Sequence, residues 1–299
     1  MTAQHPANAL TIVGLDKRFG KRKALDALTF SVPAGSICGL IGPNGAGKTT
    51  TMSIIAGFLT ADSGTVDLLG MGPYDPARHA GRVGILPQDA ELPVASTPRQ
   101  LLNVWGRLQG VPGSRIKAVV DDVLTLVLLG DRADARIATL SHGMRRRVTV
   151  ASALLGNPDF VLLDEPTSGL DPAQARHLRD ALASLRGRTT VLVSSHNLAE
   201  LESLCDRVVV IDHGRCVREG SMDVVTGSDR EVTVTLAAPF PPGRDQTVTL
   251  RLLATDPRTL PEATSDLLRE LLAEGARVQA VQPGSSLEAR VLADTGAAR

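Results

Sequence analysis

A compact apolar run, Ser36 to Ile41, leads into Gly42-Pro43-Asn44-Gly45-Ala46-Gly47-Lys48-Thr49, and Lys48 to Leu59 then has helical character. This succession of buried strand, glycine-rich loop and helix constrains the fold more than any other stretch. The loop fits GxxxxGK[ST], in which the glycines let backbone N–H groups turn inward around phosphate oxygens. The helix N-terminus that follows adds its positive dipole end. Lys48 supplies a mobile cation for the β- and γ-phosphates, and the Thr49 hydroxyl is a ligand for Mg²⁺. Thr50 extends the same turn. The pattern predicts an α/β core that holds a nucleoside triphosphate.

Such a core also needs a carboxylate at the end of another buried strand. Phe160-Val161-Leu162-Leu163-Asp164-Glu165 provides it. Asp164 is the expected Mg²⁺ partner, through water. Glu165 comes next, where it would face the γ-phosphate and activate the attacking water. A ligand-free glycine turn, or two acids that merely cap a strand, would explain either run alone. The two together point to hydrolysis of a nucleoside triphosphate.

With these residues in hand, four further runs make a family resemblance. Leu140-Ser141-His142-Gly143-Met144-Arg145-Arg146-Arg147, between the two phosphate-site runs, is similar to the LSGGQ-x-x-R signature of the ATP-binding cassette (ABC) ATPases. Gln88 resembles that family's Q-loop glutamine, Ser168-Gly169-Leu170-Asp171 its D-loop, and His196 its switch histidine. Phe19 matches the aromatic that stacks on adenine. The order covers residues 10 to about 225. Ser194-Ser195-His196-Asn197-Leu198-Ala199-Glu200-Leu201-Glu202 resembles the SSHxLxEvE run of bacterial export-type cassettes like the daunorubicin-resistance ATPase. Ser285 to Ala293 looks like a degenerate copy of their PSLEdvFL tail, with an arginine at an expected apolar or aromatic position.

The resemblance implies a RecA-like core with antiparallel β and α-helical subdomains. It also implies a head-to-tail pair of subunits in which Ser141, His142, Gly143 and Met144 complete the partner's ATP site in trans, with Asp171 in the D-loop. Gln88 would touch Mg²⁺ or the lytic water, and Glu165 and His196 would position that water and sense the γ-phosphate. The pair, homo- or heterodimeric, would drive a separate multi-helix membrane permease. His142 and Met144 depart from the family's glycine and glutamine, while Ser141 and Gly143 keep the hydroxyl and the close backbone approach. An alternative is a mechanical ABC ATPase that acts on nucleic acid or ribosomes. Against it stand one cassette rather than two, no long coiled coil between the phosphate-site runs, a net charge of zero and only 2% aromatic residues.

Composition sets the remaining expectations. Hydrophobic residues at 43% and charged residues at 21% are globular values. No apolar run approaches the length needed to span a bilayer. Residues 1–9 read as a loose tail without a signal-peptide pattern. Cys38, Cys205 and Cys216 form no CxxC pair and suit a reducing compartment. The expected location is the cytoplasm, at the inner face of the membrane. Residues 10–225 are read as the ATP-binding domain, with a helical subdomain over about 89–157, and residues 226–299 as a small α+β accessory domain. Lys17 to Leu25 reads as a turn-rich connection and His213-Gly214 as a hairpin turn. Arg145 and Arg146 read as a solvated helix face, Arg147 as a prop for the signature loop, and His79, His177 and His213 as surface or turn positions.

Overall fold

The computed structural model describes residues 7–87, 91–227, 231–239, 246–252, 259–284 and 286–295. The chain divides into two compact units, Met1–Glu219 and Gly220–Arg299.

The first unit opens with a long hairpin, β1 (Asn8–Phe19) and β2 (Arg22–Pro33). The expected connection over Lys17 to Leu25 is therefore strand, with only Gly20 and Lys21 in the turn. Its charged residues belong to an antiparallel pair, in register as Arg18 opposite Lys23 and Phe19 opposite Arg22, so pairing rather than an apolar pattern makes the strand. Then come β3 (Ile37–Ile41), α1 (Lys48–Ile55), β4 (Ser63–Leu68) and β5 (Val83–Leu86). β4 and β5 carry no clear sequence signal, because each is short and broken by a glycine. At Gly84 the glycine is obligatory: a Cβ there would lie 1.7 Å from the Ala153 carbonyl oxygen.

Three helices follow, α2 (Pro98–Leu108), α3 (Ile116–Leu126) and α4 (His142–Ala153). Thr97 and Gln100 form a capping box at the start of α2, with Pro98 in its first turn. The core resumes with β6 (Phe160–Asp164), α5 (Pro172–Ala183), β7 (Thr190–Ser194), α6 (Leu198–Leu204), β8 (Arg207–Asp212) and β9 (Arg215–Ser221). His213 and Gly214 both have positive φ, 46° and 77°, which suits the tight turn that joins β8 to β9.

β2, β1 and β4 form one antiparallel sheet, and a six-stranded sheet runs in the order β5-β6-β7-β3-β8-β9. β3, β6 and β7 are buried at every residue, as continuous apolar strands covered on both faces of a parallel sheet should be. The two sheets share one core, where Leu10, Ile12, Leu25 and Leu28 meet Leu40, Met52 and Ile55. The parallel register matters most for function. Asp164 pairs with Ser194, and Ser194 pairs with Leu40, so the carboxyl ends of β6, β7 and β3 are level. Ligands of open α/β sheets bind outside such ends.

The second unit holds α7 (Met222–Thr226), β10 (Glu231–Leu236), β11 (Thr247–Arg251), α8 (Leu260–Ala273), β12 (Val278–Pro283) and α9 (Leu287–Thr295). Its sheet runs β11-β10-β12, antiparallel throughout, around Val232, Val234, Leu236 and Leu271. Ser285, the first residue of the tail, lies outside the described residues; Ser286 accepts a hydrogen bond from the Ala289 amide at 3.2 Å. The unexpected arginine of the tail is Arg290. It pairs with Glu231 at 2.9 Å, and Glu231 also pairs with Arg251 at 2.5 Å. A buried carboxylate on β10 thus explains a cation where the export-type tail has an apolar residue.

Candidate functional site

The loop after β3 is built by close backbone approach. A Cβ on Gly42 would come within 2.1 Å of the Ile211 carbonyl oxygen. Gly47, at φ 111°, is the N-cap of α1 and provides no side-chain cap. The first-turn amides of α1 are therefore left for a ligand. Lys48 Nζ donates to the carbonyls of Gly42 at 2.6 Å and Pro43 at 3.1 Å, which holds the ammonium inside the loop. Burial lowers the Lys48 pKa, and the nearby Glu165 and Asp164 carboxylates oppose that shift.

A cleft of about 240 Å³ opens here, lined by Phe19, Asn44, Lys48, Thr49, Asp164 and Glu165 among others. Phe19 is half exposed at the end of β1, with Lys17 Nζ 5.7 Å from its ring centroid. Thr50 and Arg22 also line the cleft, and Arg22 donates to the Gly45 carbonyl at 3.3 Å. Arg22 was not anticipated. Its only sequence signal is its place directly across the hairpin from Phe19.

Asp164 is buried at the end of β6 and accepts a hydrogen bond from Ser194 Oγ. Burial raises its pKa; the Ser194 hydrogen bond and the charges of Arg146 and Lys48 pull the other way. Glu165 stands just beyond, at φ 52°, in the left-handed region that a residue with a Cβ rarely adopts. Its amide donates to the carbonyl and hydroxyl of Ser194, at 3.2 and 3.1 Å. Its Oε2 lies 2.5 Å from His196 Nδ1, on an imidazole that is largely exposed. The P-loop, Phe19, Asp164, Glu165 and His196 thus converge.

The remaining expected site residues do not join this cleft. Gln88 lies outside the described residues. Ser141 is the N-cap of α4, and its side chain accepts from the Met144 amide at 3.2 Å. His142 is exposed and Gly143 buried. A Cβ on Gly143 would come 2.9 Å from Gln174 Oε1, and one on Gly169 would come 2.5 Å from the His142 ring. The signature loop therefore packs on the Ser168–Asp171 turn of its own chain. Asp171 caps α5, accepting from the Gln174 amide at 2.9 Å.

The arginines of α4 depart from expectation. Arg146 is buried rather than solvated, and its guanidinium donates to the carbonyls of Asp164 at 2.5 Å and Glu165 at 2.8 Å. Arg147 is buried too, and it donates to the Val127 and Leu128 carbonyls instead of the signature loop. Arg145 is the one that holds the loop, through the Leu140 carbonyl at 3.0 Å. Helical spacing turns consecutive arginines to different faces, and carbonyls at the ends of neighbouring segments make burial of two of them affordable. His79 is likewise buried, not superficial: its ring nitrogens lie 3.0 Å from the Asp75 carbonyl and 3.2 Å from the Leu68 carbonyl. His177 is partly buried against the Leu126 carbonyl at 3.1 Å.

Among the described residues no group of three His, Cys, Asp or Glu side chains could hold a metal by itself. A hard cation with few protein ligands suits Mg²⁺, which keeps waters and shares substrate phosphates. Thr49 and Asp164, both on the cleft, offer it one hydroxyl and one carboxylate. Among the described residues no helix is long and apolar enough to cross a membrane.

Known proteins resemble this chain in sequence and in fold. The ABC transporter family profile matches residues 25–168. The chain is 43% identical over 227 residues to the Nod factor export ATP-binding protein I of Burkholderia lata, covering 75% of this chain and 74% of that one. It is 41% identical over 249 residues to the protein of the same name from Ralstonia nicotianae, covering 77% and 76%. A solved ATP-binding subunit of an ABC transporter superposes with a TM-score of 0.66 at 27% identity, over 73% of this chain and 92% of that one. The chain belongs to the ABC transporter ATP-binding subunits, export-type relatives among them, which bind and hydrolyse ATP, dimerise, and work with transmembrane subunits.

Proposed function

We propose that this chain powers export across a membrane, as half of an ATP-dependent pair docked on a separate multi-helix permease at the cytoplasmic face. The observation that carries the chemistry is the convergence of Lys48, Asp164 and Glu165 on the cleft beside Phe19, with His196 against the Glu165 carboxylate. Phe19 stacks on adenine, and the amides of residues 42–50 with Lys48 hold the phosphates. Thr49 and Asp164 would hold Mg²⁺ beside the phosphates, and the resemblance adds Gln88 as a further contact to it. Mg²⁺, when bound, neutralises phosphate charge. Glu165 takes the proton of the attacking water, and His196 orients the Glu165 carboxylate. Ser141 to Met144 and Asp171 serve the site of the partner subunit.

The export reading is supported by the relatives' names and by the run from Ser194 to Glu202. The second unit carries none of these residues, so its role is accessory: subunit pairing or regulation.

The chemical test is Glu165→Gln. An amide cannot accept the water's proton, and general-base catalysis is worth about 10²–10⁴-fold. ATP binding should persist, turnover should fall by that factor, and an ATP-bound dimer should accumulate on size exclusion. Near-normal phosphate release would remove Glu165 from its role. The biological test is affinity purification from detergent-solubilised membranes. A multi-span membrane protein should be captured; ribosomes or DNA instead would overturn the export reading.

A further inference from the structure

We propose that Arg146 is a positioning residue for Glu165, holding the backbone of the base from the signature helix. The inference rests on the reading of Glu165 as general base. Glu165 occupies a left-handed conformation, φ 52°, that its own Cβ disfavours. Such a conformation persists only when the surroundings over-determine it. On the amide side it is held by Ser194, through two acceptors on β7. On the carbonyl side it is held by the Arg146 guanidinium at 2.8 Å and the Ser168 amide at 3.1 Å.

The same terminal nitrogen of Arg146 donates to the Asp164 carbonyl at 2.5 Å. One cation therefore grips both peptide groups of the carboxylate pair, while their side chains stay turned to the cleft. A planar, permanently charged donor suits this task better than a flexible ammonium. Arg146 is only 8% exposed, so this grip operates with little competition from water. Its place on α4 gives the grip its interest. The helix that begins at Ser141 also carries the support of the catalytic carboxylate of its own chain.

The test is steady-state ATP hydrolysis by full-length Arg146→Met and Arg146→Lys, beside Glu165→Gln, with binding of a fluorescent ATP analogue and thermal melting as controls. Displacing a reacting group by about an ångström can cost about 10²-fold. Arg146→Met should therefore lower kcat by about 10- to 100-fold while KM and analogue affinity stay within about threefold. Arg146→Lys should recover part of the loss. A folded Arg146→Met with kcat within about threefold of wild type would overturn the proposal. Should Arg146→Met not fold, Arg146→Lys decides: a several-fold fall in kcat at constant KM supports positioning, and wild-type kcat refutes it. Full turnover by Glu165→Gln would instead remove the base reading itself, whatever Arg146 does.

Discussion

The helices α1 and α4 present their N-termini differently. α1 starts at Gly47, which has no side chain with which to cap it, and the Lys48 ammonium is folded into the loop. α4 starts at Ser141, whose hydroxyl already accepts from the Met144 amide. The first terminus is built around what it will bind: glycine costs the free chain entropy and leaves N–H groups for phosphate. The second is a self-sufficient helix start. Accepting the Met144 bond leaves the Ser141 O–H hydrogen as a donor for a ligand. On the proposed reading, a site in cis needs a complete cradle, whereas a site offered to another subunit must be stable before that subunit arrives.

Gly143→Asp should break this contrast most severely. The new side chain starts 2.9 Å from Gln174 Oε1 and adds a negative charge where the proposed trans contact meets phosphate. Hydrolysis should fall below detection in a phosphate-release assay, while the isolated chain still binds an ATP analogue at the α1 site. Retained hydrolysis would remove the proposed trans contact between the signature loop and phosphate.

Phe19→Ala probes the cis side. Base–aromatic stacking is worth about 1–3 kcal/mol, so ATP affinity should drop about 5- to 150-fold. Titration calorimetry distinguishes this from a structural role, which would lower the melting temperature and leave affinity unchanged. The exposure of half the ring argues that little stability is at stake.

Asp164→Asn should stabilise the nucleotide-free protein while it cripples turnover. Burial raises the Asp164 pKa above its ordinary 3.8, so the folded state holds the proton more tightly than the unfolded chain does. The charged form therefore costs stability, and the cost grows as pH rises through the raised value. Asparagine still accepts from Ser194 and carries no charge. Its melting temperature should exceed wild type by a few degrees at neutral pH, with the margin shrinking as pH falls below the raised value toward 3.8. A variant that melts lower at neutral pH would show that the carboxylate is better paired than its burial suggests.

His142→Gly is expected to do least. The His142 ring lies against Gly169 and is exposed, so its loss should leave hydrolysis within about twofold of wild type. A larger fall would make His142 part of the contact between the signature and the Ser168–Asp171 turn.

The second unit offers the complementary lesson about legibility. Its strands at Glu231–Leu236 and Thr247–Arg251 follow plain alternation of apolar and polar residues, so they can be read without a structure. Gly275 at φ 92° ends α8. Thr259 and Glu262 cap its start, the Thr259 amide donating to Glu262 at 2.7 Å. In the first unit, β3, β6 and β7 stood out for their continuous burial. The charged hairpin around Phe19 and the glycine-broken β4 and β5 did not, since pairing rather than side-chain pattern holds them in place.

The P-loop, the Asp164–Glu165 pair and the signature run were determined by the sequence alone, because each needs a fixed order of residues within one short segment. The convergence of the first two was decided by strand order and register, which set Asp164 level with Ser194 and the end of β3. Only the tertiary structure could turn Arg146 inward onto two carbonyls, or place Arg22 over the loop at Gly45. An arginine's polarity predicts solvent. The backbone acceptors that overrule that prediction come from segments distant in sequence, so only folding brings them within hydrogen-bond reach.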